Sequence, residues 1–240
     1  MILLEVHHRT LYRYKQPVTF GQHRAMLRPR GGHDLRVRNS QLAVSPKAKV
    51  RWIHDVFTNS ITLIDFEQPG DHLLIESTLE IEHYAVEGPE LILSPGTETY
   101  PFSYVPEEVA DLGRTRERHY PDPERKIDQW ARKLLNDSGK TDTRDLLARM
   151  NSAVHERFTY GERHDYGTQP PLETLEKGSG TCRDFALFMM EAARSLGFAA
   201  RFVSGYLYVP ALDGNEGGHD GGGATHAWVQ IYLPGAGWVE

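Results

Sequence analysis

The sequence predicts an α+β protein, in which a region of short β-strands precedes a region of helices. Residues 1–95 contain six runs of strand-like composition, each bounded by Pro, Gly, Asn or Asp. Helical periodicity begins only after a stretch rich in Pro and Gly at residues 88–106. Strands grouped before helices, rather than alternating with them, are typical of α+β folds or of separate domains. We therefore expect a β domain at 1–95 and a second part at 96–240, in which a helical segment leads into a core of helices and strands.

Composition and charge narrow the class of protein. With 39% hydrophobic and 25% charged residues, the 240-residue chain has the make-up of a globular protein. The net charge of −6 argues against a nucleic-acid partner, which usually needs a basic face. Neither a run of about 20 apolar residues nor a secretory signal is visible, so we expect no membrane partner and a cytoplasmic location. Nothing in the sequence indicates the oligomeric state.

The first part is predicted to be a small antiparallel β-sandwich-like domain. In its last strand, Glu80 and Glu82 alternate with Leu79 and Ile81, which is typical of a strand with one face in solvent. Pro17 is expected to end the first strand. The predicted strands are 2–14, 24–27, 40–44, 48–57, 60–66 and 73–86.

Helix signals and further strands fill the second part. Pro106 and Asp122 each look like helix starts, and Thr143 precedes a third helix. The strongest helix is predicted at 182–196 and ends at Gly197. Its predicted apolar face consists of Phe185, Phe188, Met189, Ala192 and Leu196. A short helix is predicted at 172–177, strands at 200–209 and 226–233, and another strand begins at Trp238.

Cys182 is the only cysteine, so an internal disulfide is excluded, and it opens the strongest predicted helix. The first amides of a helix lack internal partners and its dipole is positive there, which favours a thiolate, the attacking species. The same amides are suited to receive the oxygen of a tetrahedral intermediate. Arg183 adds positive charge, which Asp184 offsets. The alternative is a structural cysteine that caps the helix.

His226 is the second candidate catalytic residue. It begins a strand whose apolar face carries Val229 and Ile231, and it lies on the other face, just after a Gly-rich loop. A cysteine that opens a helix and a histidine that opens a strand are the parts of a Cys–His pair. A purely structural histidine is the alternative.

Three segments resemble the transglutaminase-like superfamily: residues 173–186 around Cys182, residues 194–206 after that helix, and residues 225–238 around His226. In the first part, Tyr12 and Tyr14 before Pro17-Val18, Leu27-Arg28-Pro29-Arg30 and the run 55–59 resemble the β domain that precedes this core in bacterial members. The resemblance implies a papain-like arrangement, in which the cysteine helix packs against an antiparallel sheet that carries the histidine.

The resemblance also implies an activity, namely cysteine-nucleophile acyl transfer on amide bonds. Cys182 would attack and His226 would act as the base, without a cofactor or metal, on a peptide or protein substrate. Peptide or isopeptide hydrolysis and transglutamination both fit. The family's third residue is an aspartate on the strand after the histidine. This aspartate is absent from the chain and is expected after Glu240. We therefore expect the sequence to stop before the end of the core, and we expect the chain to have reduced activity.

Other residues are weaker candidates. Tyr160 and Arg183 are candidates for the cleft or the oxyanion hole, with packing as the alternative for Tyr160. His164-Asp165 either flanks the site or belongs to a solvated loop. The Gly-rich run 213–223 is a candidate gating loop because it lies just before His226, and a disordered insertion is the alternative. The spacing of its acidic residues matches no metal motif. The alternative function is a non-catalytic transglutaminase-like binding or assembly module.

Overall fold

The computed structural model describes residues 1–84, 91–161, 163, 166–208 and 225–240. The chain forms two compact units, Met1–Pro89 and Glu90–Glu240. Strands build the first unit, and helices with small sheets build the second, which confirms the predicted α+β fold. Among the described residues, none of the helices combines the length and apolar character needed to cross a membrane.

The first unit consists of two antiparallel sheets, with strand orders β1-β6-β3 and β2-β5-β4. All six predicted strands are present. Their bounds are β1 Ile2–Val18, β2 His23–Ala25, β3 Leu35–Ser45, β4 Ala48–His54, β5 Ser60–Phe66 and β6 Gly70–His83.

Burial in the first unit is concentrated on the central strand of each sheet. In β6, Leu79 and Ile81 are buried while Glu80 is exposed, as the alternation predicts. Aromatic rings connect the two sheets. The ring centre of Phe20 lies 5.8 Å from that of Tyr14 in β1 and 5.1 Å from that of Phe66 in β5. Buried aliphatic residues of the central strands are therefore accompanied by a partly exposed aromatic cluster.

The prediction that Pro17 ends the first strand is wrong, because β1 continues to Val18. Proline lacks an N–H for the sheet ladder and is tolerated on edge strands or at bulges. β1 lies at the edge of its sheet, and its register with β6 shifts between Arg13 and Val18. The edge position and the irregular register together accommodate the proline.

In its described residues, the second unit packs five helices with short strands. The helices are α1 Pro106–Leu112, α2 Lys126–Arg132, α3 Thr143–Arg157, α4 Pro171–Lys177 and α5 Cys182–Ser195, with a 3₁₀ turn at Gly113–Arg116. The strands are β7 Thr99–Tyr100, β8 Thr141–Asp142, β9 Thr159–Tyr160, β10 Ser179–Gly180, β11 Ala199–Tyr206, β12 Thr225–Leu233 and β13 Gly237–Val239. The main sheet has the antiparallel order β11-β12-β13.

Helix α2 begins later than predicted. The turn at Asp122 precedes the helix, and the Asp122 carboxylate accepts hydrogen bonds from the amides of Lys126 and Ile127 at 2.8 and 3.0 Å. An aspartate that binds the free amides of a helix start is a capping residue. Asp122 therefore caps the start of α2 but is not part of the helix.

Helix α5 is the centre of the second unit, since it contacts β11 and β12 as well as α2, α3 and α4. Phe188 and Ala192 of the predicted apolar face are fully buried. Burial extends beyond that face to Glu191 and Arg194, which form an ion pair of 3.0 Å. Arg118 also donates to Glu191 at 3.1 Å. The buried charges are therefore paired, which is needed because an unpaired charge in the protein interior is strongly destabilising.

Candidate active site

Cys182 is the first residue of α5, and its side chain is partly exposed. Thr181 caps the helix, and Asp184 completes a capping box by accepting from the Thr181 amide at 2.9 Å. The sequence predicted this helix start, and the cap explains why the helix begins at the cysteine. The thiol thus lies at the positive end of a helix that is anchored in the core.

Two amides at this helix start are available to a ligand. The amides of Asp184 and Phe185 both donate to the Thr181 carbonyl at 3.0 Å. Among the hydrogen bonds of the described residues, none involves the amide of Cys182 or Arg183. Such adjacent N–H groups beside a nucleophile are the donors that an oxyanion hole requires.

The segment before Cys182 is held by a short parallel pairing of β9 with β10, in which Gly180 lies opposite Tyr160. The Gly161 amide donates to the Gly180 carbonyl at 3.0 Å. A side chain at Gly180 would come within 2.9 Å of the Asp184 Cβ, so glycine is needed there. Tyr160 is 50% exposed, and its ring centre lies 6.4 Å from that of Phe185. Tyr160 therefore borders the cysteine segment without being buried.

Asp184 connects the cysteine segment with the chain that precedes it. It accepts from the Gln169 amide at 2.6 Å and from Arg163 Nε at 3.3 Å, in addition to Thr181. Burial alone would raise the pKa of Asp184, but the amides of Thr181 and Gln169 and the charge of Arg163 outweigh it and lower that pKa below 3.8. The carboxylate is therefore charged at neutral pH.

His226 lies near the start of β12, where it pairs with Gly205 of β11. Strand alternation places it on the half-buried face with Trp228, while Val229 and Ile231 are buried on the face in the α5 core. The Trp228 ring covers Gly205, where an added Cβ would come within 2.7 Å of the ring. The half-buried face of β12 is thus the one on which the sequence predicted His226.

The topology brings Cys182 and His226 to the same end of the helix–sheet layer. After α5, Gly197 (φ +93°) turns the chain and β11 starts two residues later, so β11 runs back along the helix. From Ser195 back to Cys182 the helix spans about 20 Å, and from Ala199 to Gly205 the strand spans about 20 Å. Gly205, the partner of His226, is therefore level with the start of α5. A direct contact between the sulfur and the imidazole stays a prediction.

Glu240 takes part in a chain of side-chain hydrogen bonds with Gln230 and Arg201. It accepts from Gln230 Nε2 at 2.7 Å, and Gln230 in turn accepts from Arg201 at 2.9 Å. Gln230 lies four residues from His226, which is about 13 Å along a strand. β13 pairs Val239 with Ile231, which lies five residues from His226.

Of the weaker candidate residues, only some lie in the part of the chain that the structure describes. Arg183 is the second residue of α5 and is exposed. His164-Asp165 and the run 213–223 lie outside the described residues. In the part of the chain that is described, no group of three or more His, Cys, Asp or Glu residues could hold a metal ion. Sequence reasoning missed Arg163 and Gln169, because neither belongs to a helix or strand motif.

Comparison with known proteins gives matches over both units. Residues 128–240 match the family model of the transglutaminase-like superfamily, and residues 4–82 match that of the bacterial transglutaminase-like N-terminal region. An uncharacterized protein of Mycobacterium leprae is 25% identical over 250 positions, which cover 97% of this chain and 80% of the relative. An uncharacterized protein of Mycobacterium tuberculosis is 27% identical over 241 positions, which cover 95% and 73%.

A solved structure shares the fold of this chain. The crystal structure of a candidate cysteine protease from Cytophaga hutchinsonii has a TM-score of 0.69 with this chain, covering 99% of it and 77% of the other chain. The identity is 13%, so this likeness establishes the fold alone. The two family models between them cover most of the chain, and the core segment that carries Cys182 and His226 lies within one of them. The chain belongs to the transglutaminase-like superfamily and carries the bacterial N-terminal region of that family in front of the core.

Proposed function

We propose that this protein catalyses acyl transfer at amide bonds with Cys182 as the nucleophile and His226 as the general base. The observation that carries the proposal is the start of α5, where a partly exposed thiol stands beside two amides without acceptors in the described structure. A thiolate attacks a carbonyl carbon, and these amides are suited to bind the oxygen as it becomes negatively charged.

The reaction is proposed to proceed through a thioester. The Cys182 sulfur forms a bond to the carbonyl carbon, the C–N bond breaks, and the imidazolium of His226 gives its proton to the leaving amine. Water or a second amine then attacks the thioester, His226 accepts its proton, and the C–S bond breaks to restore the thiolate. Water yields hydrolysis and an amine yields transamidation.

We favour hydrolysis of a peptide or isopeptide bond, with a peptide or protein as acyl donor. The solved structure that shares this fold is described as a candidate cysteine protease, which supports this preference. The exposed ring of Tyr160 supports it as well, because its place beside Gly180 offers an apolar surface next to the nucleophile.

The thiol of Cys182 is expected to be unusually reactive. Near pH 7, iodoacetamide is expected to alkylate Cys182 about tenfold or more faster than free cysteine, because a helix start and a neighbouring imidazole favour the thiolate. His226→Ala is expected to remove most of this enhancement. Intact-protein mass spectrometry reports the rate without ambiguity, since the chain has one cysteine.

Turnover is tested with a mixture of peptides, in water and with an added amine such as monodansylcadaverine. Two fragments whose masses sum to that of the substrate plus 18 Da indicate hydrolysis, and amine adducts indicate transamidation. Cys182→Ala is the control and should give neither. A thiol no more reactive than free cysteine, together with no product of either kind, would favour a non-catalytic binding module instead.

A further inference from the structure

We propose that Arg163, acting through Asp184, is a positioning residue that sets the reactivity of Cys182. The inference rests on the proposed function only in taking Cys182 as the nucleophile. The contacts that carry it are the Arg163–Asp184 ion pair and the hydrogen bonds of Gln169, which lie outside the Cys–His pair.

The carboxylate of Asp184 stands in an unfavourable place for a thiolate. It lies two residues after Cys182 in the first turn of α5, and its side chain is fully buried. A negative charge at this position weakens the positive field of the helix start and repels a thiolate nearby. The capping box nevertheless needs the carboxylate, because it accepts from the Thr181 amide.

Arg163 resolves this conflict by pairing with the carboxylate. Its Nε lies 3.3 Å from Asp184 Oδ2, and only 18% of its side chain is exposed. Its Nη2 also donates to the Gly167 carbonyl at 2.6 Å, which holds the guanidinium in place. The cation therefore compensates the buried charge while Asp184 keeps its bonds to the cap.

Gln169 fixes the same assembly from the other side. Its amide donates to Asp184 Oδ1 at 2.6 Å, and its side-chain Nε2 donates to the Ser179 carbonyl at 3.0 Å. One buried residue thus binds both the strand before Cys182 and the carboxylate after it. Segment 179–184 is consequently held by Gln169 at both of its ends, which keeps the two free amides of the helix start in a fixed place.

The test measures the alkylation rate of Cys182 by iodoacetamide, a neutral reagent whose approach is not steered by the charge of a variant. Arg163→Gln leaves the carboxylate uncompensated and is expected to slow alkylation about tenfold. The slower rate is expected because the charge of Asp184 then makes the thiolate less favourable, so that a smaller fraction of the thiol is ionised. Arg163→Lys restores the charge and should stay within about threefold of wild type. The double variant Arg163→Gln with Asp184→Asn removes both charges and should also recover.

Arg118→Gln is the matched control. It removes the ion pair between Arg118 and Glu191, a buried residue of α5 that is nine positions from Cys182. It should lower the melting temperature and leave the alkylation rate unchanged. If Arg163→Gln fails to fold, Asp184→Asn is compared with the double variant. The single variant keeps an uncompensated cation and should react faster.

The inference is overturned if Arg163→Gln reacts as fast as wild type, or if the double variant is as slow as that single variant. The second result would mean that Arg163 acts only through packing. Because alkylation needs no substrate, a protein that never turns over a peptide would refute the proposed function and leave this test valid. Conversely, normal turnover with an unaffected Arg163→Gln variant would refute only the inference.

Discussion

Asp184 shows how much a single buried carboxylate does at this helix start. It accepts hydrogen bonds from Thr181 and Gln169 and pairs with Arg163, and its side chain has no exposure. A buried charge that is fully hydrogen-bonded stabilises the fold, whereas the same charge without partners would destabilise it. Its ionisation is therefore linked to folding.

The stability of the protein should depend on pH through Asp184. Burial opposes ionisation, but the hydrogen bonds and Arg163 prevail, so the folded-state pKa lies below the ordinary value of 3.8. The stabilisation is present above the ordinary pKa and is lost as the pH falls through the folded-state pKa. Asp184→Asn should lower the free energy of unfolding by about 2–4 kcal/mol at pH 7 and by less near pH 3. Urea unfolding at several pH values measures this difference.

The exposed Asp137 offers the control for that experiment. Asp137→Asn should change the unfolding free energy by no more than about 0.5 kcal/mol at any pH. A destabilisation by Asp184→Asn that is equally large at pH 7 and pH 3 would contradict the linkage.

At the same scale, the sequence could identify Cys182 but not the residues that support it. The cysteine stands next to recognisable signals, namely glycines before it and an apolar helix after it. Arg163 and Gln169 lie in an irregular segment, and their partner Asp184 is 21 and 15 residues away. Only the folded chain brings them together, so no local pattern could reveal this connection.

Among the elements, the turn between β12 and β13 shows how a close approach restricts the sequence. Gly235 and Gly237 both have positive φ, +89° and +76°. A side chain at Gly235 would lie 2.5 Å from the Ser94 amide nitrogen, while one at Gly237 would meet nothing within 4 Å. The Ser94 amide also donates to the Pro234 carbonyl at 2.8 Å, so the segment cannot move away without losing that bond.

This pair of glycines gives a matched prediction. Gly237→Ala should cost about 1 kcal/mol of unfolding free energy from backbone strain alone. Gly235→Ala carries the same strain and adds a clash with backbone atoms, so we expect about 3 kcal/mol or more. Chemical unfolding of both variants measures the difference, and equal effects would refute the close packing of residues 92–94 on this turn.

Elements were predictable wherever local pattern and tertiary environment agree. The alternation in β6 and the glycine stop after α5 are of this kind. The end of β1 was not predictable, because Pro17 is tolerated only where the strand lies at an edge or bulges. The burial of Glu191 and Arg194 on α5 was missed as well, since charged residues look like solvent residues until Glu191 is seen to pair with both Arg194 and Arg118.

For the whole molecule, each unit has an interior of its own. The core cluster around α5 draws its buried residues only from Leu93 onward. The buried apolar residues of the first unit are fewer and come from β5 and β6: Ile61, Leu63, Ile64, Leu73, Leu79 and Ile81. Since buried apolar area is the main source of folding free energy, the second unit has the larger share of it.

We therefore expect residues 90–240 to fold without the first unit. The fragment should unfold cooperatively in urea and show a near-ultraviolet circular dichroism signal from packed aromatic rings, such as that of Trp130, whose centre lies 4.8 Å from that of Phe188. Leu146→Ala, a change at a fully buried position of α3, should lower its unfolding free energy by about 2–5 kcal/mol if that core is formed. Lys133→Ala, at an exposed position after α2, is the control and should have little effect. A fragment that lacks cooperative unfolding, or in which both substitutions are equally harmless, would show that this core is not sufficient for folding.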